Sequence, residues 1–184
     1  RLQDKIQLIL KVNHNSILTS IIFGLVCMFL LDIKGIIPYV FFGYAAINFL
    51  NTYLYSKHKN LTVTYNIASL LAMAGGILIT IHSGGIQSPF ILVLAIVVFA
   101  GYVTTKMYGQ FYLIINLVLV AAIFVYDLAD LNLTANMVPE ASRRWFAFLS
   151  VVFAVYLLGG VFGRNLLRAH HNLYKSRKEV QERI

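Results

Sequence analysis

Apolar residues in this chain come in runs about as long as a bilayer is thick. Six stretches, 16–31, 35–55, 61–82, 89–105, 108–126 and 145–162, are dominated by Leu, Ile, Val, Phe and Ala. A helix needs roughly 20 such residues to cross the hydrocarbon core. The connectors between the runs are short and carry turn-forming residues: 32–34, 56–60, 83–88, 106–107 and 127–144. Lipid offers no partner to backbone N–H and C=O groups, so each run must satisfy its own, as a helix does. This predicts an all-α, polytopic membrane bundle of six transmembrane helices. Composition agrees: 59% of the 184 residues are hydrophobic, 12% are charged, and the mean hydropathy is +0.76. A soluble domain averages about 45–50% apolar and about 25% charged. One cysteine, Cys27, excludes a disulfide scaffold, and it reads as a small buried apolar residue.

The net charge of +8 has a topological explanation. With the N-terminus inside, Arg1, Lys5, Lys11, Lys57, Lys59, Lys106, Arg164, Arg168, Lys175, Arg177, Lys178 and Arg183 face the cytoplasm, and only Lys34, Arg143 and Arg144 lie outside. Lys/Arg asymmetry of this kind sets orientation, which places both termini in the cytoplasm. The basic ends then meet lipid headgroups, and nucleic acid is not an expected partner. Residues 1–15 read as a cytoplasmic amphipathic segment, 16–163 as the membrane domain, and 164–184 as the start of a cytoplasmic helix. The chain reads as a segment of something longer, since it starts at Arg1 and stops inside a charged, helix-favouring stretch.

The expected spans have no Asp, Glu, Lys or Arg at their centres. Ion-coupled transporters and voltage sensors usually keep such groups there. Asn48, Asn51, Asn66 and Asn116 are the main intramembrane polar side chains, and interhelical hydrogen bonding is their expected role. No phosphate-binding loop, metalloprotease motif or nucleophile elbow occurs, so no catalytic residue is assigned. His170 and His171 are adjacent on a helical stretch and diverge by about 100°, which does not suit one shared metal ion. The sequon at Asn132 carries little weight without a secretory context.

The outer connectors are too short for a binding domain, so a ligand must meet the spans or the turns. The segment between the third and fourth runs, from His82 to Phe90, is the most distinctive. Gly84 and Gly85 allow positive φ in a tight turn. Ser88 suits a helix N-cap and Pro89 the first helical position, so span four should start sharply with free N–H groups at the outer interface. Phe90 could stack on a flat ring, and His82 could donate a hydrogen bond. A plain interfacial turn explains the same residues.

The string from Gly84 to Phe90 resembles the G-G-x-x-N-P-F motif of RegB/PrrB-type sensor histidine kinases, with Ser88 standing where that family has Asn. The resemblance implies six spans in a bacterial inner membrane, both termini in the cytoplasm, and the motif in the outer turn between spans three and four. It also implies quinone binding at Gly84, Gly85, Pro89 and Phe90. A two-component kinase region outside this chain would then signal to a response regulator. No metal is implied.

The last run ends in Gly159-Gly-Val-Phe-Gly163, a small-xxx-small pattern that lets helices approach closely. Beyond it Leu166, Leu173 and Val180 recur every seven residues with no Pro or Gly between them. A short heptad seam of this kind suits a homodimeric signalling helix. The sequence leaves three further readings open: a small transporter or channel, a membrane enzyme of lipid metabolism, and an input domain for a quorum-sensing kinase or diguanylate cyclase.

Overall fold

The computed structural model describes residues 2–130 and 136–184, with the side chains of residues 2, 103, 161, 162 and 164–166 left outside that set. The sequon at Asn132 lies outside the described residues. All regular structure among them is helical: α1 (Leu2–Phe29), α2 (Ile36–His58), α3 (Leu61–His82), α4 (Val93–Thr104), α5 (Lys106–Leu128), α6 (Arg143–Val155) and α7 (Arg164–Arg183), with 3₁₀ turns at Gly85–Gln87, Pro89–Leu92 and Glu140–Ser142. A π-helical stretch, Tyr156–Gly163, joins α6 to α7.

This is a helical membrane protein. Four segments are long and apolar enough to cross a bilayer: Gln3–Phe29, Leu61–His82, Lys106–Leu128 and Glu140–Gly160. The apolar stretch Pro89–Tyr102 is shorter. Helix α2 has the length, 23 residues, but carries four tyrosines together with Asn48, Asn51 and Thr52. Those groups lower its hydropathy; Asn48, Asn51 and Tyr55 are buried in the bundle, whereas Tyr39 and Tyr53 are exposed. Helix α1 runs without a break through the amphipathic segment and the first apolar run.

Chain order sets the packing. Helix α1 lies along α2, α2 along α3, and α4 along α5. Lys59 ends α2 in the left-handed region (φ 54°), and Asn60 caps α3 by accepting from the Val63 N–H at 3.3 Å. Thr105 makes the α4–α5 corner, its hydroxyl accepting from the Tyr108 N–H at 3.2 Å. Helix α5 keeps Phe111, Ile114, Leu117, Val118 and Val125 on the exposed side, as a lipid-facing edge helix should.

The intramembrane asparagines hold the helices together. Asn51 donates to the Thr64 carbonyl at 2.9 Å and to Asn48 Oδ1 at 3.3 Å, joining α2 to α3. Asn48 donates to the Tyr44 hydroxyl, which in turn meets Ser16 Oγ of α1 at 2.9 Å. Tyr112 of α5 donates to Asn66 Oδ1 of α3 at 2.9 Å. Asn116 differs, because its amide bonds within its own helix to the Tyr112 carbonyl. Replacing Asn51 with Leu should therefore cost about 1 kcal/mol, the usual scale for interhelical polar contacts in membranes. Equilibrium unfolding in mixed detergent micelles measures it, and an unchanged midpoint would mean lipid-facing or local partners replace the bond.

Candidate functional site

The turn between α3 and α4 is built as its residues dictate. Gly84 sits at φ 121° and Gly85 at φ 63°, conformations that disfavour any side chain. Ser88 closes the turn, its N–H bonding to the Gly85 carbonyl at 3.0 Å. Its side chain accepts from the Phe90 N–H at 3.3 Å, with Pro89 at the first helical position. The next donor, the Ile91 N–H, bonds to the Ser88 carbonyl at 3.3 Å. These two amides are thus taken up within the turn instead of being presented at the interface.

Ser88 has a second task. Its hydroxyl meets Ser83 Oγ at 2.6 Å, and Ser83 bonds back to the Ile79 carbonyl of α3 at 2.5 Å. The residue at the motif's Asn position therefore pins the turn to α3 and is buried. His82 bonds through Nδ1 to the Leu78 carbonyl at 2.7 Å, while its own carbonyl accepts from Met137 N at 2.8 Å. The chain before α6 thus lies over the turn. Asn136 Nδ2 is within 3.5 Å of where a Gly84 Cβ would be, and the Ser142 hydroxyl donates to the Leu31 carbonyl at 2.7 Å.

Phe90 points inward. It is only 3% exposed and lies in an aromatic cluster with Phe23, Phe41, Phe146 and Phe153. Its ring is edge-on to Phe41 at 5.4 Å and lies nearly parallel to Phe153 at 6.1 Å, 29° between planes. Any ring that stacks on Phe90 must enter the bundle, because its faces are not on the outer surface.

Such an interior space exists. A cavity of about 90 Å³ lies between the α1–α2 pair and the α3–α4 pair. One end is closed by Phe41, Phe90, Phe153, Val93 and Ile79. The other carries Asn13, Ser16, Tyr44, Tyr65 and Ser69, and the small residues Ala68, Ala72, Gly75 and Gly76 keep the α3 wall low between them. No charged side chain among the described residues lines it. Of the residues singled out from sequence, only Phe90 reaches this cavity; His82, Gly84, Gly85, Ser88 and Pro89 form the turn above it. The polar wall was legible only in part: Asn13, Ser16 and Ser20 recur at helical spacing on α1, and Tyr65 and Ser69 on α3.

At the other end of the molecule, Gly159 and Gly163 lie in the π-helical stretch. A Cβ at Gly159 would meet nothing within 4 Å, so this backbone is open to its surroundings. The Tyr156 hydroxyl donates to Asn15 Oδ1 at 2.8 Å, tying the stretch to α1. On α7, Leu173 and Val180 are exposed, and the Leu166 side chain is outside the described residues. His170 and His171 are exposed, and no metal-holding group of His, Cys, Asp and Glu occurs among the described residues.

Fold and site together define a helical membrane protein with an uncharged interior cavity beneath a glycine-rich turn. No family model, curated protein or solved structure matches the chain.

Proposed function

We propose that this chain is the membrane-embedded input domain of a two-component sensor histidine kinase, crossing a bacterial inner membrane six times with both termini in the cytoplasm. A lipophilic ligand, a quinone in the reading that the Gly84–Phe90 motif implies, is received beneath the turn formed by His82, Gly84, Gly85, Ser88, Pro89 and Phe90. Its occupancy is relayed through the last span to a kinase region beyond this chain and on to a response regulator. The observation that carries this reading is the contact between the turn and the last span. Phe90 packs on Phe146 and Phe153 of α6. From there the chain stays helical through Tyr156–Gly163 to Arg183. A shift of Phe90 is thereby transmitted to a rod that leaves the membrane domain. The π-helical stretch supports the same reading, since such segments are rare, occur frequently at functional sites and can return to α-helix with a change of register.

Output requires two copies. Gly159 and Gly163 offer a close-approach surface, and Leu166, Leu173 and Val180 continue it as a seam. Spin labels at Leu173→Cys, in nanodiscs assembled with two copies, test both parts. We expect one narrow distance distribution between copies, and a displaced one when decylubiquinone is added. A broad distribution that quinone leaves unchanged would argue against dimeric signalling. Gly159→Ile should broaden the distribution by blocking the approach of the two backbones.

A further inference from the structure

We propose that α7 carries a docking face for anionic lipid, formed by Leu167, His171, Tyr174 and Lys178 with Arg168 and Lys175 beside them, and that α7 rests on the inner leaflet through this face when it is not paired with a second copy. The proposal rests on the topology of the reading above and not on any kinase output.

Helix α7 stands apart from the bundle. Its main neighbour is the π-helical stretch from which it grows. From Leu167 to Ile184 every side chain except Ala169 and Ser176 is exposed. The seam of Leu166, Leu173 and Val180 accounts for only part of its apolar surface. Leu167 and Tyr174 each stand one residue past a seam position, so they lie about 100° around the helix from it. They are 74% and 69% exposed, and a second copy on the seam leaves them uncovered. With His171 and Lys178 they fall at i, i+4, i+7 and i+11, which is one straight face. Arg168 and Lys175 border it on one side and Arg177 on the other. No acid occurs in α7 before Glu179, and the whole helix holds six Lys/Arg against two Glu.

An apolar pair bordered by cations is what an interfacial helix presents to a leaflet. Rings and aliphatic chains enter the headgroup boundary, while Lys and Arg extend to the phosphates. The chain's own anchor selects this partner. The segment Glu140–Gly160 is long and apolar enough to cross the membrane, and Leu167 follows within about 10 Å of helix, so the face begins at the lipid surface. Acidic headgroups supply the complementary charge. To lie flat, α7 must bend away from α6. The bend falls in Tyr156–Gly163, since π-helical backbone and glycines such as Gly159, Gly160 and Gly163 are where sharp kinks arise. Upright, Lys178 lies about 21 Å beyond Arg164, outside the roughly 8 Å over which a charged surface acts at physiological salt. Resting on lipid and standing as a paired rod are therefore alternatives, and anionic lipid favours the first.

The test uses the full chain, one copy per nanodisc, with the fluorophore NBD on Gln181→Cys; Cys27 is fully buried and does not compete for the label. A nitroxide on the lipid headgroups serves as quencher. Position 181 is at the far end of α7 and meets headgroups only when the helix lies flat. We expect strong quenching in phosphatidylcholine–phosphatidylglycerol discs, little in phosphatidylcholine alone, and loss of the quenching at high salt. Arg168→Gln and Lys175→Gln should each lower the ratio of resting to upright helix roughly fivefold, the value of one cation at an anionic surface. Leu167→Ser combined with Tyr174→Ser should release the helix while its helical content is kept. Equal quenching in both lipids, no quenching in either, or indifference to the Gln variants would overturn the proposal. Release by the Gln variants and not by the Ser pair would mean that charge alone holds the helix, and would overturn the docking face as well. With two copies per disc, spin labels at Leu173→Cys should give a narrow distance distribution in phosphatidylcholine and a broad one in the phosphatidylglycerol mixture. A narrow distribution in both would overturn the competition between resting and pairing. A broad one in both would remove paired signalling and leave the lipid face standing.

Discussion

Replacing Phe90 with Ala should destabilise the fold by roughly 2–3 kcal/mol while leaving membrane insertion unchanged. In soluble cores Phe→Ala costs about 3–5 kcal/mol, part of it transfer of the ring from water and part the cavity left behind. A membrane-embedded ring never leaves an apolar medium, so the transfer part shrinks and the packing part remains. Here the packing part is large. Phe90 has ring neighbours on three helices: Phe23 at 6.1 Å, Phe41 at 5.4 Å, and Phe146 and Phe153 at 6.4 and 6.1 Å. These neighbours anchor one another, Phe23 lying stacked on Phe41 at 4.6 Å, so they cannot all collapse into the space. Detergent-mediated unfolding of wild type, Phe90→Leu and Phe90→Ala measures the effect, with Leu expected to recover more than half. A loss below about 1 kcal/mol for Ala would mean that the cluster refills. Because Phe90 also closes the cavity, Phe90→Ala enlarges it. A change in ligand response from this variant must therefore be read beside its stability.

The second large effect is expected at the α4–α5 corner. A Cβ on Gly101 would lie 3.0 Å from the Tyr108 carbonyl oxygen and 3.1 Å from Gly109 Cα and N. On the facing helix, a Cβ on Gly109 would fall 2.3 Å from the Tyr102 ring. The contact at Gly101 is backbone against backbone, and backbone cannot rotate away as a side chain can. Gly101→Leu should therefore separate the two helices and cost about 3 kcal/mol or more, the upper range for overpacking. Gly43 is the matched control, since nothing lies within 4 Å of its would-be Cβ. Gly43→Leu should be neutral or slightly stabilising through helix propensity alone. If both variants unfold at the same denaturant concentration, the close approach of α4 and α5 does not contribute to stability.

The helical class of this protein was readable from its sequence, for a physical reason. Lipid forces every backbone group to bond within its own segment, so an apolar run has one solution and its length shows in the sequence. The turn at Gly84–Phe90 was legible on equally local grounds. Positive φ at glycine, a serine cap and a proline at the first helical position are properties of single residues, and all three are seen. The link between helices through Asn51 and Asn66 was also anticipated from the cost of a lone polar group in hydrocarbon.

Tertiary structure alone decided where those residues face. From sequence, Phe90 and the first amides of the fourth apolar run belonged at the outer interface. In the fold the ring turns into the bundle, and the Phe90 and Ile91 amides are consumed by Ser88. The direction depends on aromatic partners as distant in sequence as Phe23 and Phe153, and no periodicity in one helix encodes that meeting. The cavity is undetermined for the same reason. Its walls come from α1, α2, α3, α4 and α6, whose crossing angles follow from side-chain fit. Sequence determines what each segment must do alone in a bilayer; which faces meet, and what space they leave, is settled only when the helices pack.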